Sequence, residues 1–223
     1  MAEKQIIETQ DGSHSIYSER FGVSYHSRYG AIQESRHVFI EAGLFLQALS
    51  KKQIQVLEVG FGTGLNAFLT FLEGKQRELS IEYVAIEAFP VDIEQARQLN
   101  YPQLLGEPPK TKEFLFLHRA EWNKKHQLDE HFSFLKLQQP FEQVDFQEAF
   151  DLLYFDAFAP NAQPELWESP VLERMYRSLR KGGMLVTYCA KGIVKRRFKA
   201  LGFEVKTMKG PPGKREMIRC TKV

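Results

Sequence analysis

Cysteine is scarce in this sequence: Cys189 and Cys220 are the only two, and neither forms a metal-ligand spacing with the other or with the six histidines. A structural metal is therefore not expected, and the two thiols read as strand-borne core residues. Long apolar runs are also missing. Nothing approaches the roughly 20 residues that a membrane span needs, and the polar start Met1-Ala-Glu-Lys-Gln is unlike a secretory signal. The expectation is a cytoplasmic protein with no membrane partner. The absence of internal repeats and low-complexity tracts excludes solenoids and disordered arrays. The net charge is only +2, but it is unevenly spread. Ala190 to Val223 holds eleven lysines and arginines against Glu204 and Glu216, a local balance of +9 that leaves the rest of the chain at −7. Such an end either attracts a polyanion, which suggests nucleic acid, or is a solvated helix face.

What is present is 223 residues with 43% hydrophobic content, enough for one domain (1–223) with a substantial core and cramped for two. From residue 54 onward apolar strands and amphipathic helices alternate as in a doubly wound α/β sheet. Ile54 to Val59, Ile81 to Glu87, Phe132 to Gln138, Asp151 to Asp156 and Met184 to Cys189 read as strands, the last following a Gly182-Gly183 turn. Helices are expected from Leu65, from Pro90, over Glu113 to Trp122, from about Glu165 to Leu179, and over Val194 to Leu201. Prolines 102, 108 and 109 mark a helical insertion near 100–130. Phe203 to Met208 and Glu216 to Thr221 read as an antiparallel hairpin around Gly210-Pro-Pro-Gly213. In the N-terminal extension, residues 1–50, Ile16 to Tyr25 suggests a hairpin and Ser35 to Leu49 a helix. The fold expected is Rossmann-like, mostly parallel, with that C-terminal hairpin.

The run Glu58-Val-Gly60-Phe-Gly62-Thr-Gly64-Leu-Asn66 ends a buried strand, turns on glycines and opens a helix, the arrangement that holds a nucleotide-like ligand. Its spacing is Gly-x-Gly-x-Gly, not the Gly-x-Gly-x-x-Gly of a dinucleotide site. An acid at 58 suits a cofactor with a cationic part better than a pyrophosphate. S-adenosylmethionine meets that requirement, with Gly60, Gly62, Gly64 and Asn66 lining it and Glu87, at the end of the second strand, accepting from the ribose hydroxyls. Asp156 opens Asp-Ala-Phe-Ala-Pro160 at the carboxyl edge of the sheet, where open α/β folds hold reactive groups. There it either orients a target amine for methyl transfer, with Phe158 and Pro160 beside it, or caps the following turn. Lys191, Lys195, Arg196, Arg197, Lys214 and Arg215 are candidate phosphate contacts, and Tyr25, Tyr29, Phe158 and Trp167 candidate stacking platforms, any one of which is equally a core residue. Glu34 and Arg36 either cover the cofactor or the amine, or form a salt bridge.

Taken together, LEVGFGTGLN (57–66), DAFAP (156–160) with Pro164 and Trp167, TYCAKG (187–192) with Arg196-Arg197, GPPGKREM (210–217) and YHSRYGAIQESRHVFI (25–40) resemble the methyltransferase domain of the MnmC family. The resemblance covers nearly the whole chain. It implies methyl transfer from S-adenosylmethionine to the 5-aminomethyl nitrogen of 5-aminomethyl-2-thiouridine at tRNA wobble position 34, with the tRNA anticodon loop as partner. The fused members carry a flavin-dependent oxidase domain, for which this sequence has no second glycine fingerprint, so no FAD is expected. The acid that usually follows the third strand near adenine has no clean equivalent, leaving Gln138-Gln139 or Glu142 for that place. Two other readings stay open: a small-molecule amine methyltransferase or aminopropyltransferase, and a non-catalytic tRNA-binding protein on the same fold.

Overall fold

Side chains alternate across a strand, so a strand apolar at every position must be covered on both faces. The computed structural model describes residues 4–106, 108–143 and 145–223; residues 1–3 of the polar start lie outside them. Its N-terminal part is a small antiparallel sheet of β1 (Lys4–Glu8), β2 (His14–Ser18) and β3 (Val23–Ser24). The expected hairpin over 16–25 is the β2–β3 part of it; β1 was not expected. A continuous helical stretch follows: α1 (Ala31–Ser35), a π-helical segment Arg36–Leu44, and α2 (Phe45–Ala48). Asp11, in the β1–β2 turn, accepts from the Gln33 backbone N–H at 2.9 Å, so a distant carboxylate satisfies a free donor at the α1 N-terminus.

The main sheet contains β4 (Gln53–Val59), β5 (Ser80–Glu87), β6 (Lys125–Asp129), β7 (Phe132–Gln138), β8 (Phe150–Phe155), β9 (Leu179–Thr187), β10 (Phe203–Lys209) and β11 (Glu216–Lys222). Its order is β10-β11-β9-β8-β4-β5-β7-β6. The pairs among β4, β5, β7, β8 and β9 are parallel; β6, β10 and β11 pair antiparallel. Along β4 and β8 the pleat divides the core. Val56, Leu152 and Tyr154 join one apolar cluster with Val38, Phe39, Leu69 and Phe114, whereas Leu57, Val59, Leu153 and Phe155 join another with Leu172, Met175, Val194 and Phe198. The first cluster draws on the π-helical segment, α3 (Leu65–Gln76) and α6 (Thr111–Arg119); the second draws on α7 (Ser169–Ser178) and α8 (Gly192–Ala200). The layering is that of the expected Rossmann-like fold.

Four local expectations need correction. The helix from Pro90 is a single turn, α4 (Ile93–Ala96), capped by Asp92, which accepts from the Glu94 N–H at 2.8 Å. The insertion, expected to be helical over about 100–130, holds α5 (Tyr101–Leu105) and α6 but then the strand β6 at the sheet edge, whose polar sequence KHQLD lacks the apolar pattern of a buried strand. The helix expected from Glu165 is split into a 3-10 turn Pro164–Trp167 and α7, with Pro170 near the α7 start, and Leu179 already opens β9. Gly182 and Gly183 lie inside β9 beside a register irregularity, so this strand begins before the glycines. Cys220 is on β11; Cys189 lies just past β9, and both are buried.

β4 is the point where the chain reverses its direction of travel across the sheet: β5 and β7 lie to one side, β8 and β9 to the other. A crevice forms at the carboxyl ends of strands at such a point. The N-terminal sheet lies against this region, pinned by the α5 segment: Asn100 accepts from His14 N–H at 2.9 Å and donates to the Gly12 carbonyl at 2.8 Å, and the Tyr101 hydroxyl donates to the His14 carbonyl at 2.7 Å.

Candidate active site

A cavity of about 270 Å³ opens beyond β4 and β8. Gly60, Gly62 and Asn66 line it from the β4 turn, Glu87 and Phe89 from the end of β5, and Asp156 to Ala159 from the end of β8, and its lining also includes Phe21, Tyr25, Glu34, Tyr188 and Lys214. Three of the glycines are required by the protein itself. Gly60 has φ +93°, and a Cβ there would stand 2.7 Å from the Asp156 carbonyl oxygen. At Gly62 it would meet the Tyr25 ring at 2.9 Å, and at Gly64, outside the cavity, His118 Nε2 at 2.8 Å. Gly64 thus serves the packing of α3 on α6, and the motif joins strand, N-terminal segment and insertion as well as facing a ligand.

The carboxyls of the site stand in four different environments. Glu87 accepts from the Gly62 N–H at 3.0 Å and the Phe89 N–H at 2.8 Å, which fixes its carboxylate at the β5 end of the cavity. Asp156 accepts from Asn66 Nδ2 at 2.8 Å. Burial, then the charge of Glu34, push Asp156 up to about 7, while the Asn66 hydrogen bond and the Lys214 charge pull the other way. Glu58 does not face the cavity: it is fully enclosed, and Asn66 Nδ2, at 3.0 Å from it, bridges it to Asp156. Burial and the neighbouring Asp156 raise Glu58 well above the ordinary carboxylate range, and its contact is with the Asn66 amide, which it orients, instead of with the cavity. Glu34, at the start of the helical stretch, accepts from the Ser27 N–H at 2.9 Å and from Lys214 Nζ at 2.5 Å.

Several residues expected to meet nucleic acid have other partners. Lys214 turns inward, its ammonium 3.6 Å from the Tyr188 ring centroid as well as on Glu34. Trp167 is fully buried, packs edge-on against Phe155 and donates its indole N–H to the Phe158 carbonyl at 2.8 Å, so it braces the loop after Asp156 and offers no stacking face. Arg197 donates to the Trp167 carbonyl at 2.8 Å and to Glu168 at 2.7 Å, and Lys195 to Glu216 at 2.7 Å. Arg36 pairs with Glu73 at 3.0 Å, away from the cavity, the salt-bridge alternative. Pro160, half-buried, lies just beyond the lining. Lys191, Arg196, Arg215 and Tyr29 are exposed; Lys191 donates to Asn161 at 2.6 Å, and Tyr29 covers Gly213, one residue from Lys214.

Sequence reasoning missed Phe21, His26, Phe89, Phe141 and Tyr188. Phe21 contacts Phe89 and Phe158 with centroids 6.0 and 4.6 Å apart, closing the cavity from above. His26 Nε2 lies 2.7 Å from Thr63 Oγ1 within the glycine turn; burial lowers it to about 4, so the ring is neutral. Phe141 lines the cavity where Gln138-Gln139 or Glu142 was expected. Its signal was only its place just after β7.

The residues fit a nucleoside cofactor bearing positive charge. Glu87 sits at the end of the second sheet strand, Phe89 and Phe141 also line the cavity, no lysine or arginine other than Lys214 does so among the described residues, and the buried Asn66 Oδ1 has no hydrogen-bond partner. Fold and site together define a class I, Rossmann-like methyltransferase. The profile of a family described as S-adenosyl-L-methionine-dependent methyltransferase matches residues 107–223. The chain belongs to that family, and S-adenosylmethionine is its cofactor. It is similar to the tRNA 5-methylaminomethyl-2-thiouridine biosynthesis bifunctional protein MnmC of Delftia acidovorans, 32% identical over 220 residues that cover 92% of this chain and 33% of that protein. The same-named protein of Ectopseudomonas mendocina is 32% identical over 218 residues, 90% of this chain and 32% of that one. The chain thus spans about a third of the length of these curated relatives. Among solved structures it is similar to MNMC2 from Aquifex aeolicus, with TM-score 0.79, 27% identity, and coverage of 99% of this chain and 71% of that one. A spermidine synthase from Thermotoga maritima, with TM-score 0.56 and 14% identity over 98% of this chain and 71% of that one, shares the fold. No helix among the described residues is long and apolar enough to cross a membrane.

Proposed function

We propose that this methyltransferase acts on the 5-aminomethyl nitrogen of 5-aminomethyl-2-thiouridine at tRNA wobble position 34, giving the methylamino product. The observation that carries this reading is Asp156: a carboxyl held by Asn66 at the edge of the cavity, titrating near 7, and therefore able to accept an amine N–H and later its proton at neutral pH. The names of the relatives supply the substrate class.

When bound, S-adenosylmethionine supplies an electrophilic methyl on a sulfonium. Displacement there needs a neutral nitrogen with its lone pair aimed at the methyl, so positioning and exclusion of water account for much of the acceleration. Gly60, Gly62, Asn66 and Glu87 hold the cofactor side, and Phe21, Tyr25 and Phe158 keep solvent from the cavity. Asp156 orients the amine. A wobble base in a single-stranded loop can be splayed into such a pocket without opening a duplex. Tyr29 offers a stacking face, and Lys191, Arg196 and Arg215 offer phosphate contacts.

The test is incubation of purified protein with isotopically labelled cofactor and tRNA bearing 5-aminomethyl-2-thiouridine, followed by nucleoside mass spectrometry. One labelled methyl at that nucleoside is expected. Cofactor binding without any gain there, or transfer to a free amine in preference to the tRNA, would overturn the substrate assignment.

A further inference from the structure

A primary amine brings two N–H groups and one lone pair into the cavity, and the chemistry uses only the lone pair. In transfer the lone pair forms the N–C bond as the C–S bond breaks with its electrons kept by sulfur; the cationic nitrogen then loses one proton to the Asp156 carboxylate. Both N–H groups need acceptors in the buried state, since each one left unpaired costs about 1–3 kcal/mol. Asp156 accepts one. We propose that Glu34 accepts the other, and that this pair of carboxylates restricts the enzyme to primary amines and to a single methyl per amine.

The inference rests on the amine reading above and goes beyond it. Glu34 lines the same cavity as Asp156, and its side chain is only 8% exposed. Its two oxygens already accept from Ser27 N–H and Lys214 Nζ, but a carboxylate has about four acceptor positions, so each oxygen retains one. Lys214 is itself held over Tyr188, whose hydroxyl is committed to the Ala157 carbonyl at 2.8 Å. Lys214 therefore holds the Glu34 carboxyl in place, while the Tyr188 hydroxyl and Ala157 carbonyl are already paired with each other. With Asp156 and Glu34 each taking an N–H, the lone pair is the one direction of the nitrogen left free for the methyl. The methylated product has one N–H. To present its lone pair again it must press the new methyl against one of the two carboxylates, which leaves a buried charge without its donor. Rejection of the secondary amine by about ten- to a hundred-fold follows.

The experiment compares tRNAs carrying 5-aminomethyl and 5-methylaminomethyl uridine at the wobble position with wild type, Glu34→Ala and Glu34→Leu. Affinity is read in the presence of S-adenosylhomocysteine, and methyl count by mass spectrometry with excess cofactor. Wild type should bind the primary amine at least tenfold tighter and stop at one methyl. Both variants should lose that preference and accumulate dimethylated product. Variants that keep the preference and stop at one methyl overturn the role of Glu34. The wild type alone decides if the variants do not fold: dimethylation of the secondary-amine tRNA at a rate comparable to the first transfer also overturns it. If wild type methylates neither tRNA, the amine reading has failed and takes this inference with it.

Discussion

Removing one hydrogen bond should move the titration of Asp156 by an amount the structure fixes. With a midpoint near 7, Asp156 is about one-tenth ionised at pH 6 and about nine-tenths at pH 8. Asn66 Nδ2 donates to it at 2.8 Å, and a hydrogen bond to a charged group contributes about 1.5–3 kcal/mol. At 1.36 kcal/mol per pH unit, Asn66→Ala should raise the midpoint by about 1–2 pH units, less if water enters the space. The assay is NMR titration of carbon-13-carboxyl-labelled protein without ligands, with Asp156→Asn to assign the resonance. If the ionised form accepts the amine, as proposed, the activity should follow: below the midpoint the carboxyl should take kcat/KM down about tenfold per pH unit, on top of the fall that protonation of the free amine causes. Stability should move the opposite way. The folded state retains the Asp156 proton between the ordinary value of 3.8 and about 7, a contribution fully present below 3.8 and lost as pH rises through 7. A wild-type midpoint near 4, or an unchanged midpoint in Asn66→Ala, would refute the account of how this carboxyl is tuned.

Gly60→Ala combines a positive φ with a contact of 2.7 Å to backbone, so it should cost on the order of 2–4 kcal/mol and lower the melting midpoint by roughly 5–15 °C, with calorimetry showing weakened cofactor binding. Trp167→Phe removes the donor to the part-buried Phe158 carbonyl; a loss of about 1–3 kcal/mol by denaturant melts is expected with tRNA affinity retained, and lost affinity at unchanged stability would mean that Trp167 meets RNA after all. Arg196→Ala combined with Arg215→Ala should weaken tRNA binding and reduce the slope of log affinity against log salt by about 1–2, measured by filter binding across a salt series; an unchanged slope removes both from the interface.

The cofactor half of the site was legible because its signals are local. A strand, a glycine turn and a helix start within 15 residues, and Glu87 follows at the next strand end, so spacing alone carries the reading. The acceptor half was not. Glu34 and Lys214 are 180 residues apart, and nothing in either neighbourhood announces that the C-terminal hairpin turn folds back on the first helix. The basic turn was therefore read as an outward phosphate contact, when one of its two cations faces inward. Trp167 failed for a different reason: a buried aromatic and a stacking platform have the same residue type, and only its neighbours distinguish them. β6 escaped because an edge strand exposed on much of its surface needs little apolar patterning. Glu58 was found but misplaced, since sequence shows an acid at the strand end and not the asparagine that screens it from the cavity.

That misplacement bears on how the site holds its charge. Glu34, Glu87 and Asp156 line one cleft, with Lys214 as the one lysine or arginine lining it among the described residues, and Asn66 ties the enclosed Glu58 to Asp156 from outside it. Four ionised carboxylates so placed would repel strongly, and the structure treats them differently: burial raises Glu58 well above the ordinary carboxylate range, Glu87 accepts from two backbone N–H donors, Glu34 pairs with Lys214, and Asp156 is pushed up to about 7. The relief is incomplete: Lys214 pairs with Glu34, while Glu58 and Asp156 are raised by burial and by neighbouring carboxyls. A sulfonium and an ammonium brought by the cofactor supply the positive charge this cleft lacks, which favours ionised Asp156 when the methyl donor is in place. If Asp156 takes the amine proton, as proposed above, it is then in the form that can accept one in the complex where one is to be released.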